Sequence, residues 1–398
     1  MARDARANEG PWWIASDENS CERARVPTSQ DRPTVDDTGN DLSPLYFAMS
    51  KIVLGGTPDD KTASSGSINW RDIGFDMDGV CTNSASCPGV SDKACLNTAI
   101  TPFDGRNCRD NELGKLSELA AASPVLAELF GYSEEDWNCE LHRGGFGVIL
   151  KISNYNGKLD DSSVRFDMYT STGLQLLPGW NCRDSIDKPL NQDWPSYADW
   201  LSSAHWRITE QSVDTSAVRL GDQVPNSVAG DGTAFVRDGY FFAKIPDGQP
   251  LWFDGEKTPI PGFRFLMRRG VMVGQLVRQP DDSWVIRDGT VAFVVLPADH
   301  VAAFQQIGFC ENMCNAFGTM KQYAESQVDT LSGTDQIQPA VPCDALSVGI
   351  AFEARQATAT TSDVVVASDP VLCPDPRHPS LPRQGCTCQA DGATCLTP

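Results

Sequence analysis

The sequence predicts a mainly β protein: an antiparallel β-sandwich or jelly-roll-like core with a few helices and a disulfide-rich loop region. Three observations lead there. Short runs of alternating apolar and polar residues follow one another between residues 144 and 295, most of them separated by DG, GQ, GE or PDD turns. Helical periodicity is confined to the stretches 113–130 and 297–331. Most of the 14 cysteines gather in three groups, at 81–108, 310–343 and 373–395.

Residues 1–43 are polar and acidic and read as a flexible leader. The segment 44–139 opens with a strand at Leu45–Val53, continues through a Cys- and Asp-rich loop at 70–112, and ends in short helices broken at Pro124. The core is placed at 140–355. Its strands are expected at Gly147–Ile152, Ser163–Tyr169, Ala234–Arg237, Tyr240–Ile245, Pro250–Phe253, Gly262–Met267, Val271–Arg278, Trp284–Val295 and Ala345–Ala354. The helical segment 297–331 interrupts the strands, and 356–398 reads as a Pro- and Cys-rich tail.

Acidic residues outnumber basic ones by 53 to 32, a net charge of −21. Nucleic acid is therefore excluded as a partner, because phosphate binding depends on Lys and Arg, and an anionic membrane surface is disfavoured. No stretch approaches the ~20 apolar residues of a membrane helix. The cysteines carry no C-x-x-C pair and only four histidines accompany them, so zinc is a poor explanation. Disulfides fit better and imply an oxidising compartment, extracellular or at the cell surface. The start, Met1-Ala-Arg-Asp-Ala-Arg, has no apolar run of signal-peptide type, so the export signal is expected upstream of this Met or already removed. The pairings expected are Cys95–Cys108, Cys139–Cys182 and Cys388–Cys395.

The most specific motif is Phe75-Asp76-Met77-Asp78-Gly79-Val80-Cys81-Thr82, with Asp104-Gly105-Arg106-Asn107-Cys108-Arg109-Asp110-Asn111 after it. Calcium takes six to eight hard oxygens from carboxylates, amides and backbone carbonyls. The first half supplies two carboxylates on a turn, and the second offers further oxygens within a few residues. Cysteines beside both halves suit a staple that holds the carboxylates together against their repulsion. The glycine follows the second aspartate directly, which excludes an EF-hand. The expected ligands are Asp76, Asp78, Asp104, Asn107, Asp110 and Asn111, with calcium as the cofactor. The competing reading is a polar loop of Asx turns with no ion.

Several of these stretches also carry a resemblance. D-R-P at 31–33, L-S-P-L-Y-F-A at 42–48, W-R-D-I-G-F-D-M-D-G-V-C-T at 70–82, D-N-E-L-G at 110–114 and G-V-I-L-K-I-S-N-Y-N-G at 147–157 are similar to a group of uncharacterised secreted bacterial proteins, often lipoproteins. The resemblance implies export and lipid anchoring upstream of this Met, and it brings no activity with it.

Trp180, Trp194, Trp200 and Trp206 lie close in sequence and read either as core or as a platform for sugar rings. The acidic group Glu134, Glu135, Asp136 and Glu140 has the residue type of a glycosidase pair, but also that of a solvated loop. The leading functional reading is an exported, non-catalytic binding or structural surface protein, lectin- or adhesin-like and stabilised by calcium. Its partner would be a glycan or a cell-surface protein. The alternatives are a secreted glycan-acting hydrolase, and a subunit of a surface polymer that self-associates.

Overall fold

The computed structural model describes residues 11–16, 22–56, 68–82, 95–97, 103–122, 134–177, 203–216, 221–253, 262–306, 314–333, 341–367 and four short strands in the tail. An N-terminal hairpin is made of Ile14–Ser16 (β1) and Glu22–Ala24 (β2). The main sheet contains Leu45–Val53 (β3), Gly147–Ser153 (β4), Asp161–Leu174 (β5), Trp206–Thr209 (β6), Ala229–Arg237 (β7), Tyr240–Ile245 (β8), Gln249–Phe253 (β9), Phe263–Arg278 (β10), Trp284–Val295 (β11), Leu346–Ala357 (β12) and Val364–Val365 (β13). The helices are Glu112–Ala122 (α1), Glu134–Arg143 (α2), Pro297–Gln306 (α3) and Cys314–Ser326 (α4). In the tail, Pro374–Asp375 (β14) pairs with His378–Pro382 (β15), and Thr387–Cys388 (β16) pairs with Cys395–Leu396 (β17), placing positions 388 and 395 opposite each other.

The strands do not form the expected sandwich or jelly roll. They close into an eight-stranded antiparallel barrel in the order β5-β4-β3-β12-β11-β10-β8-β7, and β7 returns to pair with β5. Closure is possible because β5 is 14 residues long and pairs with β4, β7 and, at its end, β6. A sandwich leaves edge strands to be protected; closing the sheet removes them. Strand β3, from the 44–139 segment, lies between β4 and β12, so that segment and the 140–355 core share one sheet.

Each of the eight strands sends alternate residues into one cluster, represented by Phe47, Leu150, Phe166, Val236, Phe241, Met272, Phe293 and Val348. In a closed sheet, the face shared by all strands is the inside, so among the described residues the barrel interior is filled by side chains. The other face is covered in two places. Trp206, Ile208 and Val224 lie over Tyr46, Ile149 and Tyr169 on β3, β4 and β5. Trp13, Phe75 and Met77 lie over Phe235, Phe242, Val273 and Val294 on β7, β8, β10 and β11.

Local chemistry accounts for several joints. Asp238 and Gly239 have φ of 52° and 81°, the left-handed pair that a tight two-residue hairpin needs between β7 and β8. The two strands expected at Gly262–Met267 and Val271–Arg278 are one strand. Its register shifts between Arg268 and Val271, where Arg269 has φ of 53°. The expected 113–130 helix appears as α1, with 123–130 outside the described residues. Among the described residues, no helix is long and apolar enough to cross a membrane.

Candidate metal centre

The Asp-rich loops lie against the outside of the barrel, and close backbone approaches hold them there. Gly74 has φ of +104°, and a Cβ on it would sit 2.9 Å from the carbonyl oxygen of Asp110 and 3.8 Å from the Cα of Gly349 on β12. The two halves of the motif are joined as a short ladder. The Asp110 N–H donates to Phe75 O at 3.0 Å, and the Asp104 N–H donates to Thr82 O at 3.0 Å. A disulfide between Cys81 and Cys108 locks them together. The expected Cys95–Cys108 pairing is therefore replaced: Cys95 bonds Cys343, tying residues 95–97 to the approach of β12. Cys108 lies beside Cys81 because the ladder aligns the two loops, a proximity that spacing along the chain does not reveal. Cys139 is also disulfide-bonded, while Cys182 lies outside the described residues.

The ladder brings Asp76, Asp78 and Asp110 together, each offering an oxygen within 4.8 Å of the others. Oxygens on opposite sides of a calcium ion lie about 5 Å apart, twice a bond of ~2.3–2.6 Å, so the separation suits that ion. One oxygen of Asp110 accepts the N–H groups of Met77 at 2.6 Å and Asp78 at 3.2 Å. Asp78 accepts from the Val80 N–H at 2.7 Å. Asp104 accepts from the Thr82 N–H in the adjoining rung. Asp76 turns Oδ2 to the guanidinium of Arg23, whose Nε is 2.6 Å away. Its Oδ1 is buried with no hydrogen-bond partner, and the residue is only 3% exposed.

Electrostatics sharpen the picture. Burial pushes the carboxyl of Asp76 up, although Arg23 pulls the other way. Burial, with neighbouring carboxylates adding to it, pushes Asp78, Asp104 and Asp110 well above the usual carboxylate range. Asp329, the residue that sequence reasoning missed, adds its field to these three from across the site. It is fully enclosed, pushed up to about 7 by burial and by Glu112, and accepts the Ser347 N–H at 2.8 Å. No spacing signal links Asp329 to the motif; the fold alone brings them together. Among the described residues, Arg23–Asp76 is the one ion pair made by the four motif aspartates. A buried group of like charges of this kind is held together by protons or by a cation.

One expected ligand has another role. Asn111 is buried, and its Oδ1 accepts from Gly114 at 2.9 Å and from Gly349 at 3.0 Å, which joins the start of α1 to β12. Its oxygen is committed to backbone donors, so it is not a ligand. Asn107 takes up a left-handed turn conformation (φ 55°) within the 106–108 turn. Trp206, proposed as a sugar platform, is completely buried against Gly147, so no sugar face reaches it. Trp180, Trp194 and Trp200 lie outside the described residues. On α2, Glu134 accepts the Leu54 N–H at 2.7 Å and Glu140 is buried with Arg143, so both serve packing.

Comparison with family models, curated proteins and solved structures finds no match for this chain.

Proposed function

We propose that this protein is an exported, disulfide-stapled barrel that holds one divalent cation, calcium by donor chemistry, and acts as a non-catalytic binding or structural component at a cell surface. The observation that carries the reading is the group of Asp76, Asp78 and Asp110, three carboxylates within 4.8 Å of one another, in which Asp76 Oδ1 is buried and makes no hydrogen bond. The donors are all hard oxygens, the preference of calcium rather than of zinc or copper. Enclosure of the aspartates and their use of backbone N–H groups support a structural ion over a catalytic one, which needs an open coordination position. Disulfides at Cys81–Cys108 and Cys95–Cys343 support an oxidising location. The filled barrel supports recognition through outer surfaces and loops rather than an internal pocket.

Thermal unfolding of chelator-treated protein tests this. Saturating calcium is expected to raise the midpoint by about 3 °C, since a ligand at a hundredfold its Kd adds ~2.7 kcal/mol. Magnesium, with shorter bonds and reluctant dehydration, is expected to do less. Asp110→Asn keeps the shape and an acceptor oxygen but lowers the site charge. It is expected to abolish the calcium response while making the ion-free protein more stable. Equal midpoints with calcium and with chelator would remove the basis of the reading.

A further inference from the structure

The N-terminal hairpin and the segment after it, residues 11–16 and 22–37, lie across the barrel as a strap, and part of the strap forms one wall of the candidate centre. Strand β2 runs beside the motif: the Asp76 N–H donates to Ala24 O at 2.8 Å, and Arg25 bridges to Asp76 in parallel. Arg23, the residue before Ala24, holds Asp76 Oδ2. Trp13 stands edge-on to Phe75 at 6.4 Å and to Tyr240 at 4.9 Å, so it touches both the motif loop and the barrel. Further along, Arg32 donates to Ser162 O at 2.6 Å and to Thr233 O, and Asp31 pairs with Arg25.

The strap's inner end therefore docks on backbone and aromatic surface of the motif ladder itself. With no cation, the four motif aspartates repel each other across that ladder, and Arg23 supplies one positive charge against them. With a divalent cation the ladder is held, and Arg23 still has its own oxygen of Asp76 to bind. Both charges offset the same repulsion.

Resting on the cation reading above, we infer that strap docking and cation binding are positively coupled: the ion at Asp76, Asp78 and Asp110 fastens the N-terminal segment to the barrel, and the fastened segment tightens the site. Coupling free energies are reciprocal, so each event strengthens the other by the same factor, for which about tenfold lies in the usual range.

The test uses the full chain, with calcium alone as the probe. Hydrogen exchange followed by mass spectrometry reports on the amides of residues 22–32, with strand β11 as an internal reference. Calcium is expected to slow exchange in the strap about tenfold relative to chelator and to leave β11 unchanged. A calorimetric titration then compares wild type with Trp13→Ala, which loosens the strap without altering any carboxylate; the variant is expected to bind calcium about tenfold more weakly. Wild type that binds calcium but exchanges its strap at the same rate with and without it would overturn the coupling while leaving the cation reading intact. A wild type that takes up no calcium would overturn both. Unchanged affinity in a folded Trp13→Ala protein also overturns the coupling, and if that variant fails to fold, the exchange comparison on wild type decides alone.

Discussion

His300 shows how one enclosed side chain shapes the behaviour of the molecule. It lies on α3 between Phe265, at 6.0 Å, and Phe304, at 4.7 Å, and neither ring nitrogen has a partner. Burial lowers its pKa to about 4. The folded state therefore keeps the ring neutral where the unfolded chain, with a value near 6.5, takes up a proton. The neutral ring's contribution is complete above about pH 6.5 and is lost as pH falls towards 4, a change on the order of 3 kcal/mol. His300→Leu removes this slope. Between pH 7 and 4 wild type is expected to lose roughly that much more stability than the variant, read as a change in the difference of their denaturant midpoints; parallel curves would contradict the assignment. The same scale shows what the sequence conceals. The D-x-D-G spacing singles out Asp76 and Asp78, because neighbouring carboxylates on a turn have few structural reasons to coexist; Asp110 joins them through the ladder. Asn111 looks equally suitable, since an amide oxygen also binds hard cations. Its fate depends on Gly349, a backbone donor from the last barrel strand, which nothing near Asn111 in sequence reveals.

Among the elements, alternation of apolar residues identifies most strands, and the Asp238-Gly239 turn identifies one hairpin outright. Arg268-Arg269-Gly270 reads as a break for good physical reason: it is polar, ends in glycine and does force a left-handed residue. The strand survives because β11 pairs with it on both sides of the bulge, while β9 and β8 pair with its two halves. Docking of the Asp-rich loop on β12 depends on two glycines meeting. A Cβ at Gly349 would come within 2.9 Å of Gly74 Cα and 3.1 Å of Asn111 Nδ2. Gly349→Ala is therefore expected to destabilise the protein by about 1–3 kcal/mol through overpacking, read as a lower denaturant midpoint. A midpoint equal to wild type would mean that the loop is held elsewhere. The Trp-rich stretch illustrates the opposite difficulty: buried and sugar-stacking tryptophans share one composition, and only the barrel wall around Trp206 separates them.

For the whole molecule, the decisive feature is closure, and periodicity does not encode it. A sandwich and a barrel are built from the same alternating strands; they differ in whether the first and last edges meet. Here the meeting is the β5–β7 seam, where Asp167 pairs with Gly230 in register. The Asp167 carboxylate accepts from the Ser227 N–H at 2.8 Å and neutralises buried Lys151, 3.4 Å away, with Arg165 beside it. Asp167→Ala strands the lysine charge on the barrel's outer face beneath the 221–228 segment, where its Nζ donates to Val224 O. A loss of about 3–5 kcal/mol is expected, measured by equilibrium unfolding; a loss under 1 kcal/mol would show that the seam does not depend on this pair. Chain-wide crosslinking is the second global device. Cys95–Cys343 encloses 248 residues of sequence separation, and replacing both by serine is expected to cost about 4–5 kcal/mol, with little change if the unfolded chain is already compact there. The central claim, that clustered buried aspartates hold a cation, is tested most directly by calorimetric titration of chelator-treated protein with calcium. Saturable binding of one ion per chain, lost in Asp110→Asn, is the predicted result. A titration with no binding heat, together with elemental analysis finding no bound divalent metal in natively purified protein, would contradict it.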